Sequence, residues 1–321
     1  MNKTQKPYTI IADRSKMSHE DWLSIRKSSI GGSEIATAIG ASRWSSQFEL
    51  WAQKTGRIEK SNQSNEAMYW GTIMEPIIRD EFAKRTGMTV KTTNYIFASK
   101  THPFLTANLD GFVELGNGEC AVLELKTAGN YAENDWNDGL PIEYFLQIQH
   151  YMFVTGMSKA YVAVLLGGNT FKHLEVARDD ESINVIVQLA TEFWHNHVKA
   201  DTPPPATAKD NGILSALYPT SKPSTITLPE DFAEVLADYE SAKATLEEAK
   251  AQKEVAEARI KEFLKDNEVA TCAGWKITWK TSNRQSLSSD KVKALLTAEQ
   301  IASCTTTSST RTLRIVKIKS K

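Results

Sequence analysis

The order in which two hydrophobic periods alternate constrains this chain most. Apolar residues recur at helical spacing over Asn65 to Thr86 (Met68, Met74, Ile77, Ile78, Phe82) and over Pro141 to Thr155 (Tyr144, Phe145, Ile148, Tyr151, Met152). Between them lie three stretches rich in β-branched and aromatic residues, Thr89 to Ser99, Phe104 to Glu114 and Glu119 to Lys126, punctuated by His102-Pro103 and Gly116-Asn117-Gly118. Those turn signals predict an antiparallel meander. An apolar run, Ala160 to Leu166, then ends at Gly167-Gly168 and predicts a buried strand, with Phe171 to Val176 as its hairpin partner and a helix over Asp180 to Lys199. Strands enclosed by helices in this order predict an α/β (α+β) fold. Gly71 and Pro76 predict a break or kink inside the first helix.

Upstream, Ser18 to Lys27 reads as a short capped helix. Ile30-Gly31-Gly32-Ser33 reads as a tight turn feeding a helix that ends near Gly40, and Gln47 to Thr55 as another helix. Pro203-Pro204-Pro205 and the polar stretch to Pro223 predict a linker, dividing the chain into residues 1–201, a linker over 202–224, and residues 225–321. Beyond it, Phe232, Tyr239, Leu246 and Ile260 follow a seven-residue period interrupted by Lys253, with Val235, Ala242, Ala249, Ala256 and Phe263 offset by three. That stripe predicts a long helix that packs on another helix or on a partner. Strands near Trp275 to Thr281 and Thr312 to Lys319 are expected around a helix from Asp290 to Leu296.

Thirty-eight Lys and Arg against 39 Asp and Glu leave a net charge of -1, so any nucleic-acid affinity must come from local charge. Cys120, Cys272 and Cys304 are scattered and lack CxxC spacing, which supports neither a disulfide framework nor a zinc or iron-sulfur site. With no apolar run of membrane length and a polar start, the expectation is a cytoplasmic protein without a membrane partner.

The chemistry concentrates in Leu109-Asp110-Gly111 and Leu123-Glu124-Leu125-Lys126. Residues two apart on a strand share a face, so Glu124 and Lys126 point into one space, and Asp110 meets them across the hairpin. An isolated ExK is usually an exposed ion pair. Here Val122, Leu123 and Leu125 flank it in a stretch that reads as buried, and buried Glu and Lys are rare unless they have partners or work. Two carboxylates and an ammonium in one place call for a hard divalent cation, with Mg2+ the natural candidate and Mn2+ able to stand in. Such a set suits phosphodiester hydrolysis. Arg26 and Ser33 suggest a separate anion site, a guanidinium fork beside a hydroxyl at a helix start.

Over about its first two hundred residues the chain resembles the YqaJ-type viral recombinases, a family that includes the lambda phage exonuclease and belongs to the PD-(D/E)xK nuclease superfamily. The resemblance rests on blocks in order: Arg26 with Ile30-Gly31-Gly32-Ser33-Glu34, Trp70-Gly71 with Glu75-Pro76, Asp110-Gly111, Glu124-Leu125-Lys126, and Gln147-Ile148-Gln149-His150-Tyr151-Met152. Leu109 stands where the superfamily has proline, a departure outside the chemistry. The resemblance implies a restriction-endonuclease-like core, a central mixed sheet flanked by helices. It implies that Asp110, Glu124 and the carbonyl of Leu125 hold metal, that Glu75 holds a second ion or a metal-bound water, and that Lys126 and Gln147 position the water and the scissile phosphate. Arg26 and Ser33 would hold a terminal 5′-phosphate. Gln149 and His150 read as ordinary core residues.

The implied function is a Mg2+-dependent 5′ to 3′ exonuclease that acts on double-stranded DNA ends and makes 3′ single strands for phage-type homologous recombination. A single-strand annealing recombinase is the implied partner, and a ring-shaped trimer the implied homo-oligomer. Two other readings stand beside it. One is a single-strand or structure-specific nuclease of the same superfamily, whose cluster-bearing types need four cysteines. The other is a non-catalytic DNA-end-binding or assembly protein working through the heptad helix and the basic tail of Arg311, Arg314, Lys317, Lys319 and Lys321.

Overall fold

A computed structural model describes residues 6–59, 66–116, 118–129, 134–137, 139–308 and 311–315. The chain forms two compact units, Met1–Tyr218 and Pro219–Lys321.

The first unit runs β1 (Tyr8–Asp13), α1 (His19–Lys27), β2 (Ile30–Gly31), α2 (Gly32–Ala38), α3 (Gln47–Lys54), α4 (Glu66–Thr86), β3 (Val90–Lys91), β4 (Tyr95–Ser99), β5 (Leu105–Asn108), β6 (Gly111–Gly116) and β7 (Glu119–Ala128), then α5 (Ile142–Thr155), β8 (Lys159–Leu166), β9 (Thr170–Ala177), α6 (Asp180–Phe193) and α7 (Asn211–Leu217). The strands form a four-stranded sheet in the order β1-β4-β5-β2 and a five-stranded sheet in the order β3-β6-β7-β8-β9. In the larger sheet β7 and β8 are parallel while the other pairs are antiparallel. Parallel neighbours need a crossover, and α5 supplies it. The fold is mixed α/β, as the alternation of periods predicts.

Strand β7 is covered on both faces, which explains its near-continuous apolar run. Leu123 and Leu125 pack with Ile78 and Phe82 of α4, whereas Val122 joins Val162 and Val164 of β8 and Ile148 and Met152 of α5. Phe82, fully buried, contributes about 2 kcal/mol relative to exposure. By alternation Glu124 shares the face of Val122, so it stands as a carboxylate inside a packed layer.

Several expectations are corrected. The stretches read as single strands over 89–99 and 104–114 are each split between the two sheets, at 92–94 and at Leu109-Asp110. Leu109 is fully buried and the Asp110 carboxylate accepts the Leu125 N–H at 2.8 Å, so the chain turns inward there before re-entering as β6. Helix α4 is one 21-residue element through Gly71 and Pro76. A proline inside a helix costs about 3 kcal/mol, and burial of Ile78 and Phe82 against the sheet offsets it. Asn65, its expected first residue, lies outside the described residues. The segment expected to close the domain as one helix ends as a π-helical turn over Trp194–Lys199.

The proline run lies within the first unit, which continues to Tyr218 rather than ending at 201. Pro204 is buried, Asp210 is fully buried and accepts a hydrogen bond from Ser46 Oγ, and Ile213, Leu214 and Leu217 pack on the main core. Those anchors hold a segment whose composition alone reads as a linker.

The second unit contains α8 (Phe232–Leu264), an antiparallel hairpin of β10 (Val269–Cys272) and β11 (Trp275–Thr278), α9 (Ser289–Leu295) and α10 (Ala298–Cys304). The heptad stripe folds as one helix, with Phe232, Val235, Tyr239, Leu246, Ile260 and Phe263 exposed. Residues 311–315 are irregular rather than the start of the expected strand. The rest of that strand, with Lys317 and Lys319, lies outside the described residues, as does Lys321. Among the described residues no helix is long and apolar enough to cross a membrane.

Candidate active site

Asp110, Glu124, Lys126 and Gln147 meet at one place because three elements converge there. The junction between β5 and β6 presents Asp110, the middle of β7 presents Glu124 and Lys126 on one face, and α5 crosses that face with Gln147. Lys126 Nζ lies 2.5 Å from Glu124 Oε1, and Gln147 Nε2 donates to the same oxygen at 2.6 Å. Gln147 also donates to the Tyr151 hydroxyl at 3.0 Å. The other carboxylate oxygen, Glu124 Oε2, is buried without a hydrogen-bond partner. A buried carboxylate oxygen without a partner is costly.

The electrostatics follow from that crowding. Burial, reinforced by Asp110, pushes the Glu124 carboxyl up to about 8 against the pull of Lys126. Burial also raises Asp110, with Lys126 and the Leu125 N–H pulling the other way. Glu75, half-buried on α4, is raised by burial and then by Asp110, while Arg14, Arg79 and Lys126 act against the rise. Lys126 is raised although burial lowers it, because Glu124 and Asp110 outweigh that effect. A cation beside these carboxyls would oppose the upward shifts.

The residues fit a hard divalent cation in this sense. Glu124 Oε2 is an orphaned oxygen, Asp110 stands close enough to interact with both Glu124 and Glu75, and oxygen donors suit Mg2+. Among the described residues no group of three Asp, Glu, His or Cys side chains closes on a single point. An ion held by two carboxylates and a backbone carbonyl would keep several waters, as Mg2+ does.

A second group lies beside the first. Arg26 Nη2 donates to Glu34 Oε1 at 2.5 Å, and Lys54 Nζ to Glu34 Oε2 at 2.7 Å. Burial alone would raise the Glu34 carboxyl, but Lys54 and Arg26 together hold it at about 2. Arg26 is therefore oriented by a buried carboxylate rather than standing alone, and it lies over the Trp22 ring. It lines an 80 Å³ cavity with Ser33, Thr106, Asn108 and Tyr151, in which Asn108 Oδ1 is a further buried, unpartnered oxygen. Ser33 and Glu34 also line a 310 Å³ cavity that reaches Lys126, Tyr144 and Gln147.

Every site residue expected from sequence thus falls in one neighbourhood, either in the carboxylate cluster or in the two cavities beside it. Gln149 and His150 are core residues as expected. Gln149 Nε2 bonds Ala177 O, and His150 Nε2 bonds Thr106 O. Lys54 and Arg14 leave no signal in the sequence, since their partners lie far away in the chain, whereas Tyr151 reads there only as an apolar residue of its helix. Glu34 alone carried a local signal, standing three residues after Gly31 at the start of α2, where it accepts the Gly31 N–H.

Residues 21–158 match the model of the YqaJ-like viral recombinase domain, a span that holds the whole carboxylate cluster and both Arg26 and Ser33. The chain is 34% identical over 289 residues to the uncharacterised protein YqaJ of Bacillus subtilis (strain 168), covering 88% of this chain and 90% of that protein. Among solved structures, an alkaline exonuclease from Laribacter hongkongensis superposes with a TM-score of 0.48 at 22% identity, covering 57% of this chain and 94% of that one. A phage-related exonuclease from Haemophilus somnus 129PT superposes with a TM-score of 0.40 at 12% identity, covering 54% of this chain and 96% of that one. The protein belongs to the YqaJ-like viral recombinase family.

Proposed function

We propose that this protein is a Mg2+-dependent exonuclease that degrades double-stranded DNA in the 5′ to 3′ direction, leaving 3′ single strands for recombination. The observation that carries the reading is Glu124, buried in a packed layer with Oε2 unpartnered and Oε1 shared by Lys126 and Gln147.

Asp110, Glu124 and the Leu125 carbonyl are the residues that would hold Mg2+, with Glu75 beside Asp110 for a second ion or its water. When bound, the ion neutralises charge that develops on the phosphoryl group and acidifies water. Lys126, already steered by Glu124, orients the attacking water and stabilises the phosphate oxygens. Gln147 fixes the Glu124 carboxylate and is itself fixed through Tyr151. Phosphodiester cleavage then forms a bond from the water oxygen to phosphorus and breaks the bond to the sugar oxygen, which takes up the proton that the water gives up.

Arg26 and Ser33 hold the 5′-phosphate of the chain end in the small cavity, with Glu34 and Lys54 locking the guanidinium in place. That pocket is what would make digestion begin at a 5′ end. The first unit carries the activity, Mn2+ substitutes for Mg2+, and the enzyme works in the bacterial host cytosol as a ring-shaped trimer with a single-strand annealing partner.

The test uses linear duplex labelled at one end, carrying either a 5′-phosphate or a 5′-hydroxyl. The expected result is magnesium-dependent loss of the 5′ label first from phosphorylated ends, closed circles left intact, and loss of the phosphate preference in Arg26→Ala. Release of the 3′ label first, or equal digestion of circles, would refute the polarity or the exonuclease mode.

A further inference from the structure

Residues 269–321 hold ten Lys and Arg against two acids, Asp290 and Glu299, a local charge of +8 in a chain whose total is -1. The described cations Lys276, Lys280, Arg284, Lys291, Lys293, Arg311 and Arg314 are all exposed. Interleaved with the first of them are aromatic rings. Alternation along β11 puts Trp275 and Ile277 on one face, with Trp279 two positions further on, and Lys276 on the other face.

The rings are held out rather than packed away. Trp275 is 76% exposed and Trp279 is 48% exposed, whereas Ile277 between them is part-buried. The backbone beneath them is fixed by the ladder to β10 and by the Trp279 N–H donating to Glu268 O at 2.9 Å. Lys261 of α8 lies 6.0 Å from the Trp279 ring, adding a cation beside an aromatic face. Lys280 makes an ion pair of 3.6 Å with Glu268, both residues exposed, so a phosphate competes for it at little cost.

We propose that the second unit binds single-stranded nucleic acid on the β10–β11 hairpin, with bases stacked on Trp275 and Trp279 and phosphates neutralised by Lys276, Lys280 and Arg284. Flat rings interleaved with cations along one strand are what a single-stranded polynucleotide recognises, because every base has a free face to stack and every linkage a charge to pair. A duplex meets the cations but leaves the rings unused, since its base faces are covered. The same hairpin of a second copy of this chain brings like charge to this surface and is repelled. The proposal rests on the second unit alone and does not depend on the nuclease reading.

The experiment uses the full chain in EDTA, so that nothing is hydrolysed, and follows the anisotropy of labelled oligothymidylate and oligouridylate about 20 nucleotides long, longer than one binding site. A duplex of the same length is the third probe. Trp275→Ala is expected to weaken binding to one or both single strands about tenfold and Trp275→Phe to restore most of it. Lys276→Gln combined with Arg284→Gln lowers the slope of log affinity against log salt by about 1.4. Duplex affinity stays within about twofold of the parent for Trp275→Ala, since a covered base face offers that ring nothing.

Single-strand binding that is unchanged in Trp275→Ala and Trp279→Ala would overturn the proposal. So would a weakened single-strand affinity that comes with a change in particle mass by light scattering, which would assign the ring to a subunit contact. The Trp275 side chain is largely solvent-exposed, so its loss does not threaten folding, and circular dichroism verifies that.

Discussion

Gln147 Nε2 lies 2.6 Å from Glu124 Oε1, which leaves Glu124 Oε2 as the unsatisfied half of a buried carboxylate. The amide satisfies one oxygen and aims the other. If that aim serves a cation, magnesium must stabilise the native protein, by about 2.7 kcal/mol at a concentration 100-fold above its dissociation constant. Glu124→Gln keeps the hydrogen-bonding shape but removes the charge. The expected outcome by differential scanning calorimetry is a magnesium-dependent rise in Tm for the parent and none for Glu124→Gln. In EDTA the variant is expected to be less stable than the parent, because Lys126 loses a buried ion-pair partner. An equal magnesium-dependent rise in both proteins would move the ion elsewhere.

Gly32 abuts Tyr151. A methyl group on Gly32 would stand 2.2 Å from Tyr151 Cε1, and the Tyr151 hydroxyl is the second partner of Gln147. Gly32→Ala is therefore expected to destabilise the fold by about 1–3 kcal/mol, the usual effect of overpacking. Gly31→Ala is the control. Its nearest neighbour would be 3.9 Å away and its φ of -88° suits any residue. Urea unfolding of the two variants checks the contrast, and equal losses would contradict it.

Acid should destabilise the first unit in two steps. Burial lowers His150 to about 4, only partly countered by the hydrogen bond to Thr106 O, so the unfolded chain binds a proton that the native one refuses as pH falls below about 6.5. That loss grows down to about 4 and then stops. Glu34, held at about 2 by Lys54 and Arg26 in spite of its burial, contributes stability that is complete above about 4.5 and disappears as pH falls to 2. Each step is worth about 3 kcal/mol at most. Glu124, raised to about 8, stabilises as pH falls from 8 to 4.5 and so opposes the His150 step, which is therefore read as the difference in denaturant midpoint between the parent and His150→Gln from pH 7 to pH 3. Lys54→Met, which strips Glu34 of a buried partner, is expected to cost about 3 kcal/mol at pH 7. A difference between parent and His150→Gln that stays constant between pH 6.5 and 4 would contradict the His150 assignment.

What was legible in the sequence was chemistry that is local in the chain. Glu124 and Lys126 are two residues apart on a strand, so their shared face follows from the period alone, and Gln147 sits in a helix whose apolar pattern is strong. The Glu34 cluster was hidden, because Lys54 and Arg26 reach it from different helices and a salt bridge between distant positions leaves no periodic trace. Strand β1 went unread, since Ile10 and Ile11 in its middle are adjacent and exposed, which breaks the alternation that marks a half-buried strand. Likewise the segment around Asp210 reads as linker until Ser46, far away in sequence, supplies its partner. The split at Leu109-Asp110 is the same lesson at the site itself, where a tertiary hydrogen bond from Leu125 bends a stretch whose composition is uniformly β.

The most direct test of the central claim is digestion of linear duplex DNA by the parent and by Lys126→Ala, each checked for folding by circular dichroism, with magnesium and with EDTA. Loss of a group that orients the nucleophile costs about 100-fold or more. The account predicts magnesium-dependent digestion by the parent, none in EDTA, and a rate reduced by at least about 100-fold in the folded variant. Digestion by Lys126→Ala at the parental rate, or a parent that leaves linear DNA intact with magnesium and manganese alike, would contradict it.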